Sequence, residues 1–226
     1  MHFLEAMERD IDWQREYDKL EHIVVVERVP QSYGTTTLNE WIESSFRKWK
    51  NRGNYTSFRE LREHLGFPCI GDSYQGYRFA QGIDQPKYFL YCEMIVNLSL
   101  PRMSSYKDGI SSKYEVFIMT VQANLKKTGY MWKKIEDQYI IIKEDAVAIE
   151  VAESLPELSD IILEYNHYRL KGNISRKRQI LNQIAFVLEP IRNDLDSVCK
   201  KEISDFFFMV NNMNIRHNNC DPKVPG

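Results

Sequence analysis

Apolar residues recur along most of this chain at the spacing of one helix face, and that periodicity supplies the clearest structural signal. Leu38, Trp41, Ile42, Ser45 and Trp49 share one face behind Thr35, Thr36 and Thr37, which offer N-caps. Thr56 or Ser57 caps a shorter helix carrying Phe58, Leu61 and Leu65, stopped by Gly66 and Pro68. From residue 86 the signal strengthens, with Tyr88, Tyr91, Cys92, Ile95 and Leu98 on one helix. Tyr114, Phe117, Ile118, Val121 and Leu125 lie on the next, which Gly129 ends.

Other stretches depart from the helical period. The β-branched run Ile23-Val24-Val25-Val26, ended by Pro30, reads as a buried strand, with a helix continuing from Trp13 as the alternative. Residues 69–84 hold Gly71, Gly76 and Gly82 among Tyr74, Tyr77 and Phe79 and read as a structured loop. Met131–Ile135 and Gln138–Ile142 flank Glu136-Asp137 and predict a small hairpin near 130–143. Helices then resume over 144–153, 156–170 and 174–198, where Pro190 should kink or divide the last of them, and over 201–213.

The expected fold is therefore mainly α. A C-terminal antiparallel helical bundle with one small β-hairpin follows an N-terminal α+β region of short helices. The expected division is an accessory region over 1–85 and a helical domain over 86–226.

Composition narrows the function classes. Of 226 residues, 43% are hydrophobic and 27% charged, enough for a folded core and unlike a disordered chain. A net charge of −2 supplies no global attraction to nucleic acid or anionic membranes, so such binding must be local. Cys69, Cys92, Cys199 and Cys220 have no disulfide-type spacing. Met1-His2-Phe3-Leu4-Glu5 is unlike a signal peptide, and no apolar run approaches a membrane span. The expectation is a cytoplasmic protein with reduced thiols and no membrane partner.

Charge is segregated locally. Residues 144–164 carry Glu144, Asp145, Glu150, Glu153, Glu157, Asp160 and Glu164 without a Lys or Arg. Residues 169–178 carry Arg169, Lys171, Arg176, Lys177 and Arg178 without an acid. Antiparallel helices could pair these blocks, or the basic block could contact phosphate. A second basic cluster (Arg47, Lys48, Lys50, Arg52, Arg59, Arg62) is interleaved with Phe46, Trp49, Tyr55 and Phe58. It reads either as a nucleic-acid track or as amphipathic helices with aromatics inward and bases in water.

Polar chemistry concentrates most near the C-terminus. Phe206-Phe207-Phe208-Met209-Val210 runs into Arg216-His217, ringed by Asn211, Asn212, Asn214, Asn218 and Asn219. A guanidinium beside an imidazole among amides suits phosphodiester binding or cleavage; a capped helix end is the structural alternative. His217 and Cys220 make only half of a zinc site, and no serine or cysteine nucleophile motif is present, so neither metal nor cofactor is expected. Three consecutive phenylalanines cannot all face one side of a helix, so Phe208 should be at a surface, and a homodimer burying it beside Arg216 and His217 is expected.

Leu170–Ile174 through Lys177–Leu181, then Leu188-Glu189-Pro190 and Asn212–Asn219, resemble HEPN-like domain proteins of the bacterial and phage abortive-infection type. The resemblance is confined to the C-terminal half. It implies a defence or toxin-type protein acting as a metal-independent endoribonuclease. His217 would be the general acid/base, Arg216 the stabiliser of the charged transition state, and Asn214, Asn218, Asn219, Arg176, Lys177 and Arg178 would bind RNA. In that family a few residues separate the Arg from the His, whereas here they are adjacent. Arg192-Asn193 has the usual beginning but no His soon after. Two alternatives stay open: a catalytically inert nucleic-acid or nucleotide-binding module, and a protein–protein interaction module or neutralising partner.

Overall fold

The computed structural model describes residues 10–31, 34–49, 52–72, 76–103 and 109–212. The protein is mainly helical with small antiparallel hairpins, and it forms two compact units, 1–141 and 142–226.

In the first unit, Asp12 accepts the Arg15 amide at 3.0 Å and starts helix α1 (Trp13–Glu21), which buries Tyr17, Leu20 and Glu21. The run expected as a strand is instead a π-helical turn, His22–Val26, closed by the Glu27 amide on the His22 carbonyl at 3.0 Å. The helix continuing from Trp13 is thus the alternative that forms. Ile23, Val24 and Val25 are all buried, and a short run that is apolar all round carries no period to separate helix from strand. Strands β1 (Val29–Gln31) and β2 (Gly34–Thr36) follow, with Val29 opposite Thr36.

Thr37 then starts helix α2 (Leu38–Phe46) with a reciprocal capping box. Its hydroxyl accepts the Glu40 amide, and Glu40 accepts the Thr37 amide, both at 3.1 Å. Leu38, Trp41, Ile42, Ser45 and Phe46 are buried. Ser57 caps α3 (Phe58–His64). The stretch read as a loop contains a hairpin, β3 (Ile70–Asp72) with β4 (Gly76–Arg78). Its tightness depends on Gly71 (φ 109°), where a Cβ would lie 2.0 Å from the Gly76 carbonyl oxygen.

Helices α4 (Gln85–Met103) and α5 (Gly109–Thr128) supply much of the core: Tyr88, Tyr91, Cys92, Ile95, Phe117 and Val121 are wholly buried. By contact they belong with the N-terminal elements, α4 on α1 and α2, α5 on β1 and the π-turn. The expected hairpin is present as β5 (Tyr130–Ile135) and β6 (Gln138–Lys143), turning at Glu136 with φ 49°. Two α4 side chains serve the backbone of β6. Asn97 accepts from the Tyr139 amide and donates to its carbonyl, both at 2.7 Å, and Glu93 accepts the Ile141 amide at 2.8 Å.

The second unit opens with Ile142, bridged antiparallel to His167, and with the Lys143 amide on the Asn166 carbonyl at 2.9 Å. Asp145 caps α6 (Ala146–Ser154), and α7 (Pro156–Tyr165) begins directly after it with proline at its first position. A 3₁₀ turn (Tyr168–Leu170) leads to α8 (Ile174–Leu188), capped by Asn173. The division expected at Pro190 is a second 3₁₀ turn, Glu189–Ile191. Beyond it the chain is one helix, α9 (Arg192–Asn212), rather than a new helix from 201. Helix α9 folds back on α8 around Ala185, Ile203, Phe207 and Val210, with Leu181, Leu188, Leu195 and Phe206 packed against them. Among the described residues no helix is long and apolar enough to cross a membrane.

Candidate functional site

The sequence-predicted RNA site divides at the end of α9. Arg216, His217, Asn214, Asn218 and Asn219 lie outside the described residues, as does the half-site His217 and Cys220. Arg176, Lys177 and Arg178 lie on the first turns of α8, which Asn173 starts by accepting the Arg176 amide at 3.1 Å.

Two of these three bases already have partners within the unit. The Arg176 guanidinium forks onto Glu164, Nε to Oε1 at 2.7 Å and Nη2 to Oε2 at 2.8 Å, and Nη1 reaches Gln179 at 3.2 Å. The hydrogen bonds and charge of Glu164 raise the Arg176 pKa, so its charge is fixed. The Lys177 ammonium lies 4.4 Å from the ring centroid of Tyr165, a cation–π distance. Arg178 is exposed. The pairing expected between the acidic and basic blocks is realised at Glu164–Arg176, where α7 and α8 meet.

The second basic cluster does not present all its charges to solvent. Arg62 is 3% exposed and belongs to a polar cluster inside the first unit. It donates through Nη2 to Glu21 Oε1, through Nη1 to Asn39 Oδ1 at 2.9 Å and through Nε to the Phe67 carbonyl at 3.2 Å. The Tyr17 hydroxyl donates to the same Glu21 oxygen at 2.6 Å. Tyr91 lies beside that carboxylate and favours its charged form, without hydrogen-bond geometry to either oxygen.

Burial pushes the Glu21 carboxyl above the usual range, with Arg62 and Tyr17 pulling it back. Burial also opposes the Arg62 charge, but Glu21 and its neighbours outweigh it and raise the guanidinium pKa. Tyr17, Glu21 and Tyr91 are 0% exposed, which leaves no reacting group within reach of a substrate. Its hydrogen bonds tie α1, α2 and α3 together, and the Tyr91 ring of α4 packs edge-on against Tyr17. Sequence reading missed it because Glu21 closes an acidic stretch and Arg62 sits in a basic one. The available signal was helical spacing: Glu21 falls four residues after Tyr17, and Arg62 four after Phe58.

The remaining reactive side chains are engaged structurally. His167 accepts the Arg169 amide through Nδ1 at 3.2 Å, His64 packs at a tilt against Tyr55, and His22 reaches Glu27 at 3.3 Å. Burial pushes the Cys69 and Cys92 thiols up, away from nucleophilic thiolate. Among the described residues no group of His, Cys, Asp and Glu is arranged to hold a metal. No family model, no curated protein and no solved structure matches this chain.

Proposed function

We propose that this protein is a bacterial or phage defence or toxin-type protein whose C-terminal helical unit acts on RNA as a metal-independent endoribonuclease. The observation that carries the reading is the Arg216-His217 pair in its amide-rich segment, which follows on in the chain from Asn211 and Asn212 at the end of α9. In this reading His217 takes the proton from a ribose 2′-hydroxyl or supplies one to the leaving 5′-oxygen. Arg216 stabilises the extra charge on phosphorus, and Asn214, Asn218 and Asn219 orient the phosphate. Of the three bases on α8, Arg178 is the exposed one and so the one of them open to an RNA backbone. The protein acts in the cytoplasm as a homodimer. The test is expression of wild type, His217→Ala and Arg216→Ala, scored for growth arrest and for RNA binding. The nuclease reading expects arrest by wild type alone; RNA binding by all three without arrest would point to the inert binder.

A second reading, the protein-interaction module, is favoured by a specific observation. Arg176 and Lys177 are held by Glu164 and Tyr165, which lowers what the basic block can offer to phosphate. Absence of both RNA binding and growth arrest would select it.

A further inference from the structure

Seven of the ten large hydrophobic side chains exposed among the described residues belong to the second unit, although it is the shorter of the two. Three of them lie in fields of single-sign charge. On α6, Val147 is 71% exposed and Val151 39%, one turn apart, with Glu150 beside them on the same face; the helix itself carries acids and no base, while the exposed Lys143-Glu144 pair before it is of mixed sign. Ala152, on the opposite side of that helix, is buried, so the valines form its outer face. At the start of α8, Ile174 is 64% exposed, with exposed Arg178 one turn on and exposed Lys171 three residues before it.

One unit thus presents an acid-framed apolar stripe and a base-framed apolar knob. We infer that the second unit binds a second copy of this chain by setting the Val147–Val151 stripe of one copy on the Ile174 knob of the other. Each patch complements the other in charge around an apolar centre, so a two-fold pair would use both contacts. Phe208, the residue that sequence alone points to, is 61% exposed, but exposed Lys201 and Asp205 on its side of α9 carry opposite charges. It therefore lacks a single-sign frame that would select a partner. The inference rests on the homodimer in the reading above and specifies its surface.

Sedimentation velocity of the full chain at tens of micromolar tests it, with wild type, Glu150→Lys, Arg178→Glu, their equimolar mixture, the Glu150→Lys/Arg178→Glu double variant and Phe208→Ser. Wild type is expected as a dimer that weakens as salt rises. Each single reversal should weaken it by roughly tenfold or more through like-charge contact. The mixture and the double variant should recover it, because both restore acid against base, and far-UV circular dichroism verifies that each variant is folded. Charge variants that dimerise like wild type, or loss of the dimer in Phe208→Ser alone, overturn the surface and leave the homodimer standing. A monomeric wild type overturns both, and leaves the RNA chemistry to its own assay.

Discussion

The Arg62 guanidinium donates to a Glu21 carboxylate 41 residues upstream, with the Glu21 side chain wholly buried and that of Arg62 nearly so. Removing one partner leaves the other charge buried and uncompensated. Arg62→Met is expected to cost about 3–5 kcal/mol in urea unfolding. The Glu21→Gln/Arg62→Met pair should recover much of that loss, which a double-mutant cycle measures. The cost of Arg62→Met should also depend on pH. Without the cation, the already raised Glu21 pKa rises further, so the native state holds that proton at pH values where the unfolded chain has lost it. Stability of this variant should fall more steeply than wild type as pH rises above 4.5, the ordinary carboxyl value. A loss independent of pH would contradict this.

Glu27 carries the opposite sign. The hydrogen bond from Lys113 holds its carboxyl below the ordinary value of 4.5, against a smaller effect of burial. The stability it contributes is present above that value and disappears as pH falls through the depressed native pKa. Lys113→Met removes the main cause. The urea midpoint of this variant should therefore fall less between neutral pH and the acid side of 4.5 than that of wild type.

Asn97 holds the hairpin by both groups of its side-chain amide, on the Tyr139 N–H and C=O. Asn97→Ala leaves two part-buried backbone groups unpaired, for an expected cost of about 1–3 kcal/mol. Asn97→Asp keeps the acceptor but loses the donor and sets a charge against the Tyr139 carbonyl. The Tyr139 amide should exchange faster with deuterium in Asn97→Ala than in Asn97→Asp.

Thr37→Ala removes half of the capping box at the start of α2 and should cost about 1 kcal/mol. Thr37→Ser keeps the hydroxyl and should be close to neutral by thermal unfolding.

Features that depend on neighbours in sequence were legible in it. Caps within Thr35–Thr37 and at Thr56 or Ser57, the buried stripe of α4, the turn at Glu136-Asp137 and the break at Pro190 all follow from local spacing and turn chemistry, and the structure selects Thr37 and Ser57. Features set by distant partners were not. Ile23–Val26 could be placed as helix or strand only by knowing that α2 and α5 cover it. Arg62 reads as one of several surface bases until Glu21 is brought to it. The Glu164–Arg176 fork was foreseeable because the two charge blocks adjoin in the chain.

The central claim is tested most directly by incubating the purified full chain with single-stranded RNA in excess EDTA and determining the ends of any fragments. Attack by a ribose 2′-hydroxyl with loss of the 5′-oxygen predicts 2′,3′-cyclic phosphate and 5′-hydroxyl ends, formed by wild type and abolished in both His217→Ala and Arg216→Ala. No cleavage by wild type, or cleavage that survives either substitution, would contradict it.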